Sequence, residues 1–341
     1  MDNAPTKKRK VIAITADLPS PNIKKEKAKA KFTFIDLFAG IGGIRIGFES
    51  VGGKCVFTSE WDKQAQITYQ ANFGEIPYGD ITKINPKEIP NFDILLAGFP
   101  CQPFSQAGLK KGFEDIRGTL FFDIAKIVKH HKPSVVFLEN VRNLAGHDKG
   151  NTLKVITGTL ENLGYKVFSS ILNAKDFGVP QNRARIYIIG CKDDVDFIFP
   201  VAPQTKTKVG DILEKKIDNK YTISDKLWAG HQRRKKEHRA KGNGFGYSMF
   251  DKKSQYTSTM SARYYKDGSE ILIKQNGKNP RKLTPKEASR LQGFPENFVI
   301  PVSDTQAYKQ FGNSVAVPVI KAIAKQVILT LKNMSTNYTK I

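Results

Sequence analysis

Five strand-length runs, Phe32–Phe38, Cys55–Glu60, Asp93–Gly98, Ser134–Glu139 and Ile186–Cys191, constrain this chain more than any other feature. All but the second are almost continuously apolar, the pattern of strands buried on both faces of a sheet. Helical stretches over about 44–50 and 119–131 lie between them, so an α/β chain built on an open parallel sheet is expected. Ligands of such sheets sit beyond the carboxyl ends of the strands. The residues at which each run breaks off are therefore the ones to read for function.

After Phe38 come Ala39-Gly40-Ile41-Gly42-Gly43 and a helix from about Ile44 to Ser50. A strand, a glycine turn and a helix suit a nucleoside cofactor, because glycine lets the ligand approach the backbone at the helix N-terminus. The spacing is shorter than G-x-G-x-x-G, which disfavours a nicotinamide site, and no Gly-Lys-Ser/Thr marks a phosphate loop. The second run ends on Glu60 about twenty residues later, where a carboxylate reaches ribose hydroxyls. Trp61 beside it offers a face for an adenine ring or is ordinary core, and Asp80-Ile81 closes a further short unit.

The third run opens into Phe99-Pro100-Cys101-Gln102-Pro103-Phe104-Ser105. Two prolines fix two φ angles and keep this loop out of helix and ladder, presenting the Cys101 thiol at a set position. Taken alone it is a nucleophile awaiting a partner or a small buried hydrophobe. Glu139 ends the fourth run on the same rim, either as that partner or as a salt-bridged surface acid. Arg183 and Arg185, two apart before the fifth run, share one face of an extended segment. They meet one ligand there or neutralise surface acids.

Composition bounds the partners. Lys+Arg 55 against Asp+Glu 32 gives a net charge of +23, which favours a polyanion, nucleic acid first. Three scattered cysteines, Cys55, Cys101 and Cys191, suit neither a disulfide framework nor a zinc site, so a reducing compartment and no metal are expected. No apolar run is read as long enough to cross a membrane, and a soluble cytoplasmic protein is expected. Residues 1–31 carry nine Lys/Arg, three acids and three prolines and read as a disordered basic arm. Its Lys7-Lys-Arg-Lys10 cluster is a solvated tail, an appended tag, or a nuclear-import signal, the one circumstance that would place the protein in a nucleus. Residues 203–282 hold twenty Lys/Arg and eight acids, a net of +12, with Tyr247, Phe250, Tyr256, Tyr264 and Tyr265 among them. Such interleaving on a loop-rich, non-helical scaffold suits groove contact with nucleic acid. Arg281-Lys-Leu-Thr-Pro-Lys-Glu then starts a helix with Thr284 as cap, Pro285 at its first position and Glu287 completing a capping box. A last helix runs to about Leu331.

In order and at these spacings FAGIGG, SEWD, GDI, GFPCQPFS, LENV, QNRAR, RKLTPKEASRLQGFP and FGNSVAVPV resemble the motif set of DNA (cytosine-5) methyltransferases, over residues 32 to about 331. The resemblance implies a class I S-adenosylmethionine-dependent, Rossmann-like, doubly wound α/β fold. Its domains would be catalytic over 32–200, a small loop-rich target-recognition domain over 201–282, a return to the catalytic domain over 283–331, and a tail over 332–341. It implies S-adenosyl-L-methionine held by Phe38, Gly40, Ile41, Gly43, Glu60, Trp61, Asp80, Ile81, Pro100, Asn313 and Val315. Catalysis would rest on Cys101, attacking cytosine C6, Glu139 at N3, and Arg185 with Arg183 on the O2 side. Double-stranded DNA is the implied substrate, its target base flipped from the stack and covered by the Lys110-Lys111-Gly112 segment. A monomer is expected, with a cognate restriction endonuclease as the candidate partner. A tRNA-modifying relative and a catalytically silent one are the alternatives, opposed by the long basic insert and by intact Cys101 and Glu139. The insert's segments 221–228, 241–247 and 258–272 resemble those of the methylase acting on the inner cytosine of CCWGG. A palindromic CC-N-GG site is therefore expected, with Arg263 or Lys266 reading guanine.

Overall fold

The computed structural model describes residues 30–100, 120–192 and 195–338, with side chains through 334. Six strands form the central sheet: β1 (Phe32–Leu37), β2 (Gly53–Ser59), β3 (Ile94–Gly98), β4 (Val135–Val141), β5 (Tyr165–Asn173) and β6 (Ala184–Lys192). Their spatial order is β2-β1-β3-β4-β6-β5. β2, β1, β3 and β4 run parallel, whereas β6 is antiparallel to both β4 and β5. The expected open, doubly wound sheet is present with four parallel strands, and the reversed direction of β6 has a simple cause. Only residues 174–183 join β5 to β6, too few for the helical crossover a parallel return requires.

Alternating side chains send each strand to two cores. Phe34, Ile94, Leu96, Val135 and Phe137 meet α1 (Gly43–Glu49) and α8 (Val317–Tyr338) on one face. Ile35, Leu37, Leu95, Ala97, Val136 and Leu138 meet α3 (Leu120–His131) and α4 (Asn151–Asn162) on the other. The remaining helices are α2 (Lys63–Phe73), α5 (Asp225–Ala240), α6 (Pro285–Leu291) and α7 (Asp304–Asn313). The helical stretch Asp304–Met334 is long and apolar enough to cross a membrane, contrary to the sequence reading. Its apolar side is core instead: Val319, Ile320, Ile323, Ala324 and Val327 are all within 1% of full burial against the sheet.

A third core unites the insert with the segment after it. Val209, Ile212, Met260, Tyr264, Ile271 and Ile273 pack with Leu283, Leu291, Phe294, Tyr308 and Phe311. The insert is loop-rich, with one two-stranded pairing between Met249–Phe250 and Leu272–Ile273, but it is not helix-free. The sixteen-residue α5 is capped by the Ser224 hydroxyl, which accepts from the Leu227 N–H. Helix α6 begins as its sequence dictates: Thr284 Oγ1 accepts from the Glu287 N–H at 3.1 Å and Glu287 Oε2 from the Thr284 N–H at 2.9 Å.

Candidate active site

The sheet reverses its winding between β1 and β3, and the carboxyl ends of β1, β3 and β4 lie side by side there. At the end of β1 the backbone takes the left-handed region at Phe38 (φ 56°), Gly40 (φ 55°) and Gly42 (φ 81°). A phenylalanine held at positive φ costs about 1–3 kcal/mol and is the kind of strain that collects at binding sites. A Cβ at Gly40 would meet nothing within 4 Å, so the turn is open on that side. Gly43 is closed: a Cβ there would stand 2.8 Å from Ser314 Oγ and 2.9 Å from Val315 Cγ2. Ser314 and Val315, 271 and 272 positions away in sequence, thus pack against the glycine turn; Val315 is buried and the adjoining Asn313 exposed. Ile41 is buried in the third core.

Glu60, at the end of β2, lies across this turn. Its Oε2 accepts from the Gly40 N–H at 2.7 Å and its Oε1 from the Asp62 N–H at 2.8 Å. Burial raises its pKa. Trp61 is 77% exposed, so its indole is not core but a free face on the rim. A short pairing continues along β2, with Tyr78 N–H donating to Thr58 O and Glu60 N–H to Tyr78 O. This brings the segment leading to Asp80 onto the same rim. The Asp80 carboxylate accepts from Thr82 N–H and Oγ1, which holds its pKa below the usual carboxylate range, and Ile81 is buried beside it. An open glycine, a bridging carboxylate, a free aromatic face and a second acid together fit a nucleoside bearing a charged tail.

At the end of β4, Glu139 is paired in register with Gly98 of β3. A Cβ on Gly98 would sit 3.2 Å from Ile44 Cδ1 and 3.5 Å from Glu139 Oε2, so Gly98 packs directly against the carboxyl. Burial raises the Glu139 pKa, opposed first by Arg185, whose Nε stands 3.4 Å from Oε1, and then by Arg183. The neighbouring Asn140 was not singled out in the sequence. It is buried, and its Nδ2 donates to the Phe99 carbonyl at 2.8 Å, two residues before Cys101. Pro100 is exposed at the rim. Cys101 and Lys110 to Gly112 lie outside the described residues. The other two cysteines are poor nucleophiles: burial pushes both the Cys55 and Cys191 thiols up to about 12.

The two arginines diverge. Arg185 faces Glu139, whereas the fully enclosed Arg183 donates from Nη1 to Met260 O at 2.8 Å and from Nη2 to Gly312 O at 3.0 Å and Ser314 O at 2.5 Å. It therefore bolts the sheet, the insert and the Asn313–Val315 segment together. Gln181 completes this seam, its Oε1 accepting from the Met260 N–H at 3.0 Å and its Nε2 donating to Leu291 O and Gln292 Oε1, each at 3.1 Å. A methyl at Gly312 would overlap the Ser261 carbonyl and the Ala262 nitrogen. Gln181 and Gly312 stand inside recognisable motifs, but nothing in their spacing announces partners so far along the chain.

A class I methyltransferase sheet, with β6 antiparallel to its neighbours and with Glu60 following β2 and Glu139 near the end of β4, is the framework these features share. The sequence profile of C-5 cytosine-specific DNA methylases matches residues 32–329, and the chain belongs to that family. It is 63% identical over 319 residues to the Type II methyltransferase M.SsoII of Shigella sonnei, covering 92% of this chain and 83% of that one. Against M.NlaX of Neisseria lactamica the identity is 64% over 308 residues, with 89% and 98% covered. Among solved structures, the Entamoeba histolytica methyltransferase EhMeth superposes with a TM-score of 0.72 at 22% identity, covering 88% of this chain and 98% of that one. The chain is thus a DNA cytosine methyltransferase of the restriction–modification type.

Proposed function

We propose that the protein methylates C5 of one cytosine in a short palindromic CC-N-GG site of double-stranded DNA, with A or T at the centre as the favoured case, through a covalent bond between Cys101 Sγ and C6. Cytosine C5 is a weak nucleophile until a thiolate adds at C6 and turns the ring into an enamine. The observation that carries the reading is Glu139, its side chain 11% exposed, beside Arg185 and one strand from the segment that leads to Cys101. Burial raises the pKa of Glu139 and so favours its protonated form, from which a proton can be given to N3 as charge collects there during thiolate attack. Arg185 holds the carboxyl in place and limits how far its pKa rises. Asn140, by fixing the Phe99 carbonyl, sets where the nucleophile loop leaves β3. Loss of the C5 proton and expulsion of the Cys101 thiolate complete the turnover. Because a base inside the duplex is beyond the thiol's reach, the target must be flipped out.

S-adenosylmethionine, when bound, supplies the methyl cation equivalent. Phe38, Gly40, Ile41, Gly43, Glu60, Trp61, Asp80, Ile81, Pro100, Asn313 and Val315 are the residues that would hold it, with Glu60 at the ribose and Trp61 at the adenine. Site choice rests on the insert's resemblance to the CCWGG methylase and on Arg263 and Lys266, both exposed with no side-chain partner among the described residues. A monomer working in the bacterial cytoplasm beside a cognate endonuclease completes the reading. Labelled S-adenosylmethionine offered with duplex DNA or tRNA is the first test, and label on tRNA alone would overturn it. Plasmid from expressing, methylase-deficient cells should then resist a CCWGG nuclease blocked by inner-cytosine methylation. Full cleavage would remove the W-centred site, and bisulfite reads lacking CC-N-GG methylation would remove the site altogether.

A further inference from the structure

We infer that the outward face of helix α5 grips the phosphodiester backbone of the duplex flanking the recognition site, extending the DNA footprint beyond the bases that are read. This rests on the reading above that duplex DNA is the substrate. Residues 225–241 carry seven Lys/Arg against two acids, Asp225 and Glu237. At 100° per residue, Trp228, His231, Arg234, Lys235 and His238 share one side of the helix, and every one of them is engaged. Trp228 packs edge-on to Tyr247 with ring centroids 4.8 Å apart, and His238 meets Phe245 at 5.7 Å. Arg234 Nη2 pairs with Asp267 Oδ2 at 3.1 Å, and Lys235 Nζ reaches Tyr247 O at 3.1 Å over that tyrosine's ring. The docking side is therefore fixed, and so is what faces away from it.

Lys226, Arg233 and Lys236 lie on the opposite side, at i, i+7 and i+10, and all three are exposed. Lys226 and Lys236 have no side-chain partner among the described residues. Arg233 has only Glu237 of its own helix at 3.6 Å, with both side chains more than half exposed, an arrangement worth little. Exposed Arg239 and Lys241 continue the charge past the helix end. Ten residues of helix cover about 15 Å, the span of about four phosphates along one strand. A lone basic helix could serve solvation alone, but this one is anchored to the reading segment itself. Asp267, which holds Arg234 through its carboxylate and His231 through its carbonyl, directly follows Lys266 and stands four residues after Arg263. The docking side of α5 is held to Asp267, next to Lys266, and a duplex that leaves Arg263 and Lys266 and passes along the helix meets the cationic stripe on its outward side.

The test compares the whole protein with a Lys226→Gln/Arg233→Gln/Lys236→Gln variant on two duplexes sharing one site, about 12 and about 40 base pairs long, across a range of salt. On the long duplex the variant should bind about 10- to 100-fold more weakly, and its log K against log salt slope should be shallower by about 2–3, near 0.9 per lost phosphate contact. On the short duplex the two proteins should agree within about twofold, and kcat at saturating DNA and the methylated site should not change. A Lys226→Arg/Lys236→Arg variant should bind as the parent does, and an unchanged Tm in all variants separates charge from folding. Equal affinities and slopes on the long duplex would overturn the assignment. Equal losses on both lengths would overturn it too, by placing α5 over the recognition site itself. Loss of binding to single-stranded RNA without loss on duplex DNA would identify a different partner. Failure of the parent to methylate any duplex would count against the proposed reaction while leaving the binding comparison readable.

Discussion

The sheet and the insert use their polar residues in opposite ways. At the strand ends the ionisable groups are largely enclosed: Glu139 beside Arg185, Glu60 across the glycine turn, and Asp36 fully buried. In the insert nearly all the cations are exposed, Arg281 in its buried pair with Glu287 being the exception, and those of α5's outer face lack partners beyond a weak contact within the helix. Buried charges are expensive unless their geometry is fixed, so the sheet offers few and exact positions. Exposed charges at about 0–1 kcal/mol each offer reach and salt-sensitive affinity instead. Chemistry should therefore break one residue at a time, and DNA binding by degrees.

The largest expected effect belongs to the sheet. Cys101→Ser should lower methyl transfer by more than about 10³-fold while DNA affinity stays near the parent's, because a neutral hydroxyl lacks a thiolate's nucleophilicity. Measurable turnover by the serine variant at neutral pH would erase the contrast. Next, Glu139→Gln should cost about 10²-fold or more in kcat. Burial raises the Glu139 pKa, so its acid form survives to higher pH than an ordinary glutamate's, and the parent's rate should fall on the alkaline side as the proton is lost. The glutamine variant should lack that limb; an identical profile in both proteins would move the acid elsewhere.

The insert's signature is graded. Raising salt from about 50 to 200 mM should weaken the parent's DNA affinity by about 10²-fold or more if four or more phosphates are neutralised. A Kd that does not move with salt would mean the insert's net +12 contributes nothing to binding.

The seam tests whether the two regions are separable at all. Gly312→Ala drives a methyl into the Ser261 carbonyl, a backbone group unable to rotate aside, so about 1–3 kcal/mol of stability should be lost. Because Gly312 and Ser314 both accept from Arg183 and Ser314 packs on Gly43, site-specific DNA binding and cofactor affinity should weaken together. Urea denaturation and two titrations decide this, and loss of one affinity alone would show that the seam transmits nothing.

What the sequence revealed follows the same division. Continuous apolar runs declared β1, β3, β4 and β6, and the residues at their ends marked the candidate site. β5 escaped because Tyr165–Asn173 is an edge strand with a half-exposed, mixed pattern. The direction of β6 escaped because a strand's run carries no arrow; the short link from β5 sets it. Helix α5 escaped because DKLWAGHQRRKKEHRA has almost no apolar period, its position depending on a few long-range contacts such as Arg234 with Asp267. Arg183 and Arg185 were legible as a pair but not as divergent. Their separate partners come from segments far apart in the chain that only the folded seam brings together.

The most local of the expected effects probes how far the sheet's economy of buried charge extends. Asp36 lies beneath the glycine turn with both carboxylate oxygens lacking a hydrogen bond. Burial raises its pKa to about 8, with Arg45 pulling it down and Glu60 and Glu49 pushing it up. An acid whose folded pKa lies above its unfolded one binds its proton more tightly when folded. Its contribution to stability is therefore complete below about pH 4 and declines as pH rises toward about 8, by up to about 1.4 kcal/mol per pH unit. Asp36→Asn keeps the shape and removes the titration. Urea midpoints measured between these limits should fall less steeply with pH in the variant than in the parent, the gap widening toward pH 8. Parallel midpoint curves would show that Asp36 is ionised and compensated in the folded protein, and that the sheet tolerates an unpaired-looking carboxylate as readily as the insert tolerates its free lysines.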